Sequence, residues 1–244
     1  MVNLAGDGTA DEQRPATPGP VAPAPVRDDQ AFVRHNTRLM TPPLVPEMRL
    51  HLAEESLPIW QQTEEQLGAL NVAPPYWAFA WAGGQALARH ILDHPASVAG
   101  KPVLDLGCGS GLAAIAAALA GASAVLAADI DPLALTACRL NAEANGVALQ
   151  TTASDLLAER PDPALGVVLV GDLFYEKELA SRVGRFIVGA RDNGALVLVG
   201  DPQRSYFPTS LFRMISQHSV PVTRELEDAL IKRTAVWRLA CSSG

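Results

Sequence analysis

The sequence predicts an α/β fold: a doubly wound, mostly parallel seven-stranded sheet with a reversed hairpin strand at its carboxyl end. From Lys101 onward, short apolar runs alternate with helix-period segments, the pattern of strands joined by right-handed crossovers. The first run leads into a glycine loop that opens a helix. Five runs end in or beside an aspartate, namely Asp105, Asp129, Asp155, Asp172 and Asp201. Such sheets bind ligands outside the carboxyl ends of their strands, so these acids mark a polar site.

The elements follow in order. V-L-D-L-G (103–107) reads as a buried strand, and L-A-A-I-A-A-A-L-A-G (112–121) as a helix of strong formers ending on Gly121. A-V-L-A-A-D (124–129) is a second strand. P-L-A-L-T-A-C-R-L-N-A-E-A-N-G (132–146) is a second helix, with Pro132 in its first turn and Gly146 past its end. A-L-Q-T-T-A-S-D (148–155) and G-V-V-L-V-G-D (166–172) are the third and fourth strands, and E-K-E-L-A-S-R-V-G-R-F-I-V-G-A (176–190) is a helix. A-L-V-L-V-G-D (195–201) is the fifth strand, followed by a short helix near 209–217. The runs around V-P-V-T-R-E-L (220–226) and R-T-A-V-W-R-L-A (233–240) form an antiparallel pair.

Residues 101–244 thus make the ligand-binding core. Residues 29–100 form an amino-terminal extension: an extended pairing segment at E-M-R-L-H-L-A (47–53), an amphipathic helix over 59–67 stopped at Gly68, and an aromatic loop, P-P-Y-W-A-F-A-W (74–81). A helix starts near Gly83 and carries Leu87, Ile91 and Leu92 inward. Residues 1–28, as in T-P-G-P-V-A-P-A-P, hold too little apolar surface to offset their ordering entropy and are expected to be disordered.

The 244 residues carry a formal charge of −7, which argues against a nucleic-acid partner held through phosphates. No apolar run reaches the ~18–20 residues of a membrane span. Cys108, Cys138 and Cys241 share no metal-ligand spacing and cannot all pair, as expected in a reducing compartment. His35, His51, His90, His94 and His218 show no metal-binding pattern, so no metal is expected.

L-D-L-G-C-G-S-G-L (104–112) gives the site its first chemistry. Gly107, Gly109 and Gly111 permit a tight turn and close ligand approach, and the helix amino terminus offers free N–H groups. The G-x-G-x-G spacing lacks the late third glycine of a dinucleotide fingerprint, which counts against NAD, the main competitor. Asp105 would repel a pyrophosphate and attract a cation. A ligand carrying both ammonium and carboxylate fits, as in the amino-acid end of S-adenosyl-L-methionine. Asp129 is placed to accept both ribose hydroxyls, Asp131 before Pro132 to cap the helix, and Asp155 to accept the adenine amine while Leu156 covers the base.

V-L-D-L-G-C-G-S-G, A-D-I-D-P and A-S-D-L resemble motifs I, post-I and II of class I, seven-strand (Rossmann-like) S-adenosylmethionine-dependent methyltransferases, with Ile130 in the second of these. Over about residues 72–207, P-Y-W-A-F-A-W-A-G-G-Q-A-L-A-R, L-V-G-D-L-F-Y-E-K-E-L-A and V-G-D-P-Q-R are similar to the lysine methyltransferases of the electron transfer flavoprotein beta subunit. The resemblance implies a protein-lysine methyltransferase that leaves S-adenosyl-L-homocysteine. It implies a flavoprotein substrate and a cytoplasmic location for a bacterial member, mitochondrial matrix for animal relatives. Target lysine, methyl number and oligomeric state stay open.

The stretch G-D-L-F-Y (171–175) falls at motif IV, facing methyl and acceptor. Neutralising a free lysine at pH 7 costs about 4–5 kcal/mol, and an aromatic pocket reduces that by desolvation. Asp172 is expected to attract and orient the ammonium, and Tyr175 to hydrogen-bond the amine. Phe174, Trp77 and Trp81 are expected to wall the site for cofactor and product, with Asp201 and Arg204 on the substrate side. The alternatives are a ribosomal protein L11-type enzyme, a small-molecule N-methyltransferase, and a non-catalytic cofactor-binding module.

Overall fold

A computed structural model of the chain describes residues 28–53, 74–222 and 230–240. The helix expected over 59–67, residues 1–27 of the expected head and Cys241 lie outside the described residues. Within the extension, α1 (Asp29–Asn36) was not anticipated from the sequence; Asp28 caps it by accepting from the N–H groups of Gln30 and Ala31. β1 (Arg38–Met40) pairs antiparallel with β2 (Leu50–Leu52), the extended pairing read around the prolines. α2 (Ala82–Asp93) follows the aromatic segment, with Leu87 and Ile91 fully buried and Leu92 half-buried.

The core then alternates as expected: β3 (Pro102–Leu106), α3 (Leu112–Leu119), β4 (Ala124–Ala128), α4 (Pro132–Ala144), β5 (Gln150–Thr152), β6 (Val167–Gly171), α5 (Lys177–Asp192) and β7 (Leu196–Asp201). β8 (Phe212–Pro221) and β9 (Ile231–Leu239) close the sheet, whose order is β5-β4-β3-β6-β7-β9-β8. β5, β4, β3, β6 and β7 are parallel, and β9 runs antiparallel to both β7 and β8. Val167 to Val170 are all fully buried, as a central strand covered on both faces requires. Leu87, Ile91, Ile115 and Leu135 pack on one face with Val103 and Leu169. Val183, Phe186 and Ile187 pack on the other with Leu104 and Val170.

Two expectations need correction. The segment 209–217 is not a helix: a single 3-10 turn, Thr209–Leu211, leads into β8. The backbone there pairs with β9 from Phe212↔Leu239 to Pro221↔Ile231, and this tertiary pairing overrides a weak helical pattern. The third parallel strand spans only Gln150–Thr152, being an edge strand bonded on one side to β4.

Candidate active site

The strand order breaks direction between β3 and β6, whose connections leave to opposite sides. Above their carboxyl ends lies a cavity of about 570 Å³. The loops after β3, β4, β5 and β6 line it, together with residues 74–81 and Arg204.

The glycine loop forms one half. Gly107, Gly109 and Gly111 hold φ values of 67°, 49° and 78°, in the left-handed region that favours glycine. Gly107 and Gly109 line the cavity. Gly111 does not; a Cβ there would lie 2.5 Å from Cys138 Sγ, so this glycine serves loop-to-helix packing. Asp129 accepts from Gly109 N–H at 2.9 Å and from Asp131 N–H at 3.0 Å, which ties the loop to the end of β4. Burial holds the Asp129 carboxyl above its ordinary range. Asp131 caps α4, accepting from Leu133 N–H at 2.8 Å. Trp77 is buried beside the loop, while Ile130 stands 73% exposed at the lip. Asp155 and Leu156 also line the cavity, and Asp155 is paired at 2.6 Å with Arg182 of α5.

Asp105 departs from its expected role. It is buried beneath the loop, accepts from Ala114 N–H at 2.9 Å, and does not line the cavity. Burial pushes its carboxyl up to about 7. It ties β3 to α3 from below the cavity floor.

The second half gathers around Asp172. This residue follows directly on β6 with φ 58°. Its Oδ2 accepts from Gly84 N–H at 2.9 Å, and its Oδ1 accepts from Arg204 Nε and Nη2 at 2.9 and 2.7 Å. The Arg204 guanidinium lies 5.5 Å from the ring centroid of Trp81, whose Nε1 donates to Tyr76 O at 2.8 Å. The Tyr76 and Tyr175 rings are 5.8 Å apart. Lost hydration raises the Tyr175 phenol above its usual range.

Phe174 and Asp201 are corrected as well. Phe174 is fully buried edge-on to Phe207 at 5.2 Å and does not line the cavity. Residue 174 keeps the parity of Val168 and Val170 and packs with them in the same core cluster. Asp201 is also fully buried, pushed up to about 7 by burial, and accepts from Arg204 N–H at 2.7 Å. It supports Arg204 from beneath. The sequence reading missed Tyr76, although P-P-Y-W holds it, and Arg182, which lies 27 residues from its partner with no local signal. Among the described residues, no group of His, Cys, Asp and Glu is placed to hold a metal ion.

A seven-stranded sheet in this order, with a glycine loop and an acid closing the next strand, is the Rossmann-like fold of class I methyltransferases. The crystal structure of a Thermoplasma acidophilum protein shares the fold, with a TM-score of 0.50 and 18% identity over 66% of this chain and 89% of that one. The family model for ribosomal protein L11 methyltransferase (PrmA) matches residues 87–170. A Dichelobacter nodosus ribosomal protein L11 methyltransferase is 46% identical over 98 residues, 40% of this chain and 32% of that protein. The likeness to electron transfer flavoprotein beta subunit lysine methyltransferases runs further. The Xenopus laevis protein is 39% identical over 85% of each chain, and the Homo sapiens protein 34% identical over 85% of this chain and 80% of its own. The chain belongs to the electron transfer flavoprotein beta subunit lysine methyltransferase family.

Proposed function

We propose that this protein methylates lysine side chains of an electron transfer flavoprotein beta subunit, using S-adenosylmethionine. The observation that carries this reading is the joining of two chemistries in one cavity. The Gly107–Gly109–Asp129 surface meets a wall of Tyr76, Trp81 and Tyr175 around Asp172.

The residues fit the cofactor. A Cβ on Gly109 would have nothing nearer than Trp77 Cα at 3.8 Å, so the loop face is open to a ligand. Asp129 retains acceptor capacity beyond the two N–H groups it holds, enough for ribose hydroxyls. Ile130 and Leu156 supply apolar surface for a base. When bound, S-adenosylmethionine supplies an electrophilic methyl group.

The chain's own residues prepare the acceptor. The aromatic wall excludes water from a lysine amine and so favours its neutral, nucleophilic form. Tyr175 is placed to accept or donate a hydrogen bond at the amine, and fixed aromatic faces hold a methylammonium product. Alignment of amine and methyl supplies much of the acceleration. The amine gains a methyl and gives up a proton to water.

The family model for L11 methyltransferases covers the glycine loop and Asp129 and ends at residue 170, before Asp172. The test offers the purified protein a labelled methyl donor with the intact flavoprotein dimer, ribosomal protein L11 and free small amines in parallel. Label mapped to beta-subunit lysines is expected. Label confined to L11 or to small amines, or no label at all, would overturn the proposal.

A further inference from the structure

Asp172 does not enter the acceptor half as a bare carboxylate. Arg204 donates to its Oδ1 twice, and the side chains of the pair are only 8% and 18% exposed. Arg204 is itself fixed at three points: its backbone N–H on Asp201 Oδ1, its guanidinium on Asp172, and its cation on the face of Trp81. Asp172 and Gln203 hold φ values of 58° and 65°, backbone that L-residues disfavour. The fold keeps strained backbone on both sides of this pair, and both its members line the cavity.

We propose that Arg204 is a positioning residue of the acceptor half: it holds Asp172 as a neutralised pair and so keeps the incoming lysine amine uncharged. The inference rests on the lysine-methylation reading above. An unpaired Asp172 would stabilise the ammonium and raise the amine's pKa. A guanidinium in the same poorly hydrated pocket acts in the opposite sense, because a second cation beside it is disfavoured. The guanidinium stays charged throughout the working pH range, so its influence does not fade with pH. Two donors converging on Oδ1 also fix the carboxylate where a lysine ammonium would hold it loosely.

Other ionisable groups face the same space. Asp201 lies under the pair at the end of β7, Tyr175 and Glu176 lead into α5, and Tyr76 lies in the turn before α2. Asp129 ends β4, and Asp155 is paired with Arg182 at the far wall. Asp201 titrates near neutrality, so it needs its own control.

The experiment measures the methylation rate of the intact flavoprotein dimer, at saturating donor, from about pH 6 to about pH 10, a range that climbs to just below the ~10.4 of a free lysine. Wild type, Arg204→Gln, Arg204→Lys and Asp201→Asn are compared, with S-adenosylhomocysteine affinity and melting temperature recorded for each. In Arg204→Gln the rising limb should move up by about one pH unit or more, giving a deficit of about ten-fold at pH 7 that shrinks toward pH 10. Arg204→Lys keeps the cation but loses the paired Nε and Nη2 donors on Oδ1, so its limb should stay near wild type under a lower ceiling. If Arg204→Gln fails to fold, the limb of Arg204→Lys decides alone. Asp201→Asn should leave the limb in place, and cofactor affinity should hold in every variant.

A uniform loss in Arg204→Gln at every pH would overturn the proposal. So would a limb in Arg204→Lys displaced as far as in Arg204→Gln, a limb that moves with Asp201→Asn, or loss of cofactor affinity in Arg204→Gln. No lysine labelling by wild type at any pH would instead refute the methylation reading itself.

Discussion

Two adjacent glycines at the start of α2 should respond in opposite ways to the same substitution. A Cβ on Gly83 would lie 2.2 Å from Gly200 O, 2.5 Å from Asp172 Oδ2 and 2.7 Å from Gly200 C. Two of those atoms belong to the β7 backbone, and the third belongs to a carboxylate pinned by Gly84 and Arg204. Ordinary contact begins at 3.4 Å, so Gly83→Ala forces helix and strand apart by about 1 Å in a close-packed interior. Overpacking of this kind costs about 1–3 kcal/mol, and two backbone atoms in the path put this case at the upper end. For a chain of this size about 3 kcal/mol lowers the melting temperature by roughly 6–12 °C. The displaced carboxylate should also cut lysine methylation about ten-fold.

Gly84→Ala meets only Leu112 Cδ2, at 3.6 Å. Its backbone N–H still reaches Asp172, and the helix gains about 0.5–1 kcal/mol from replacing glycine with alanine. The melting temperature should therefore hold or rise by about 1–4 °C. Thermal unfolding of the full chain, with methylation measured well below both transitions, checks the pair. A Gly83→Ala protein that melts within a degree or so of wild type would refute the reasoning. So would a Gly84→Ala protein damaged as badly as Gly83→Ala.

Asp129→Ala removes the tether on Gly109 and the acceptor for a ribose. Calorimetry should show S-adenosylhomocysteine binding about ten- to a hundred-fold weaker, from roughly 1.5–3 kcal/mol of charge-assisted hydrogen bonding, and unchanged affinity would remove Asp129 from the site. Tyr175→Phe keeps the aromatic wall and loses one hydrogen bond, so turnover should fall less than about ten-fold with cofactor affinity intact; weakened cofactor binding would reassign the residue. His90 of α2 packs on His94 and meets Ser216 of β8, and burial lowers its pKa from 6.5 to about 4. The unfolded chain binds that proton more readily, so the contribution to stability is complete above about pH 6.5 and is lost as pH falls toward 4. His90→Gln should flatten this acid loss by about 1 kcal/mol after allowance for solvent screening, and equal acid slopes of melting temperature in both proteins would sink the idea.

What the sequence revealed and what it concealed divide along a physical line. The glycine loop, the Asp131 cap and the D-L-F-Y strand end were legible because each is a run of neighbours whose spacing carries its own geometry. Side-chain direction was less secure. Asp105 and Phe174 occupy the expected strand ends, yet both turn inward. The loop and helix start after β3 cover the first, which accepts from Ala114 N–H, and the second stays on the core face of Val168 and Val170. The pairs Asp172–Arg204 and Asp155–Arg182, 32 and 27 residues apart, have no local signature. Neither has the contact of His90 with Ser216, which joins α2 to a segment expected to be helical.

The same division bears on where substrate choice resides. Residues 107–131 supply the glycine loop, Asp129 and the α4 cap within one continuous stretch, inside the 87–170 region shared with the L11 methyltransferase family. The acceptor half is assembled from residues 76–81, 172–175 and 204, all outside that region. A model that matches only 87–170 therefore reports the cofactor half and is silent on the acceptor. The flavoprotein-directed relatives are matched over 85% of this chain and an Aliivibrio salmonicida L11 methyltransferase over 59%, both more than the 87–170 region holds. Exchange of Tyr76, Trp81, Tyr175 and Arg204 for the residues of an L11-type enzyme should then abolish flavoprotein labelling while cofactor affinity is retained. Loss of cofactor binding in that variant would mean that the two halves are one unit, and that acceptor identity is not separable from the glycine-loop side of the cavity.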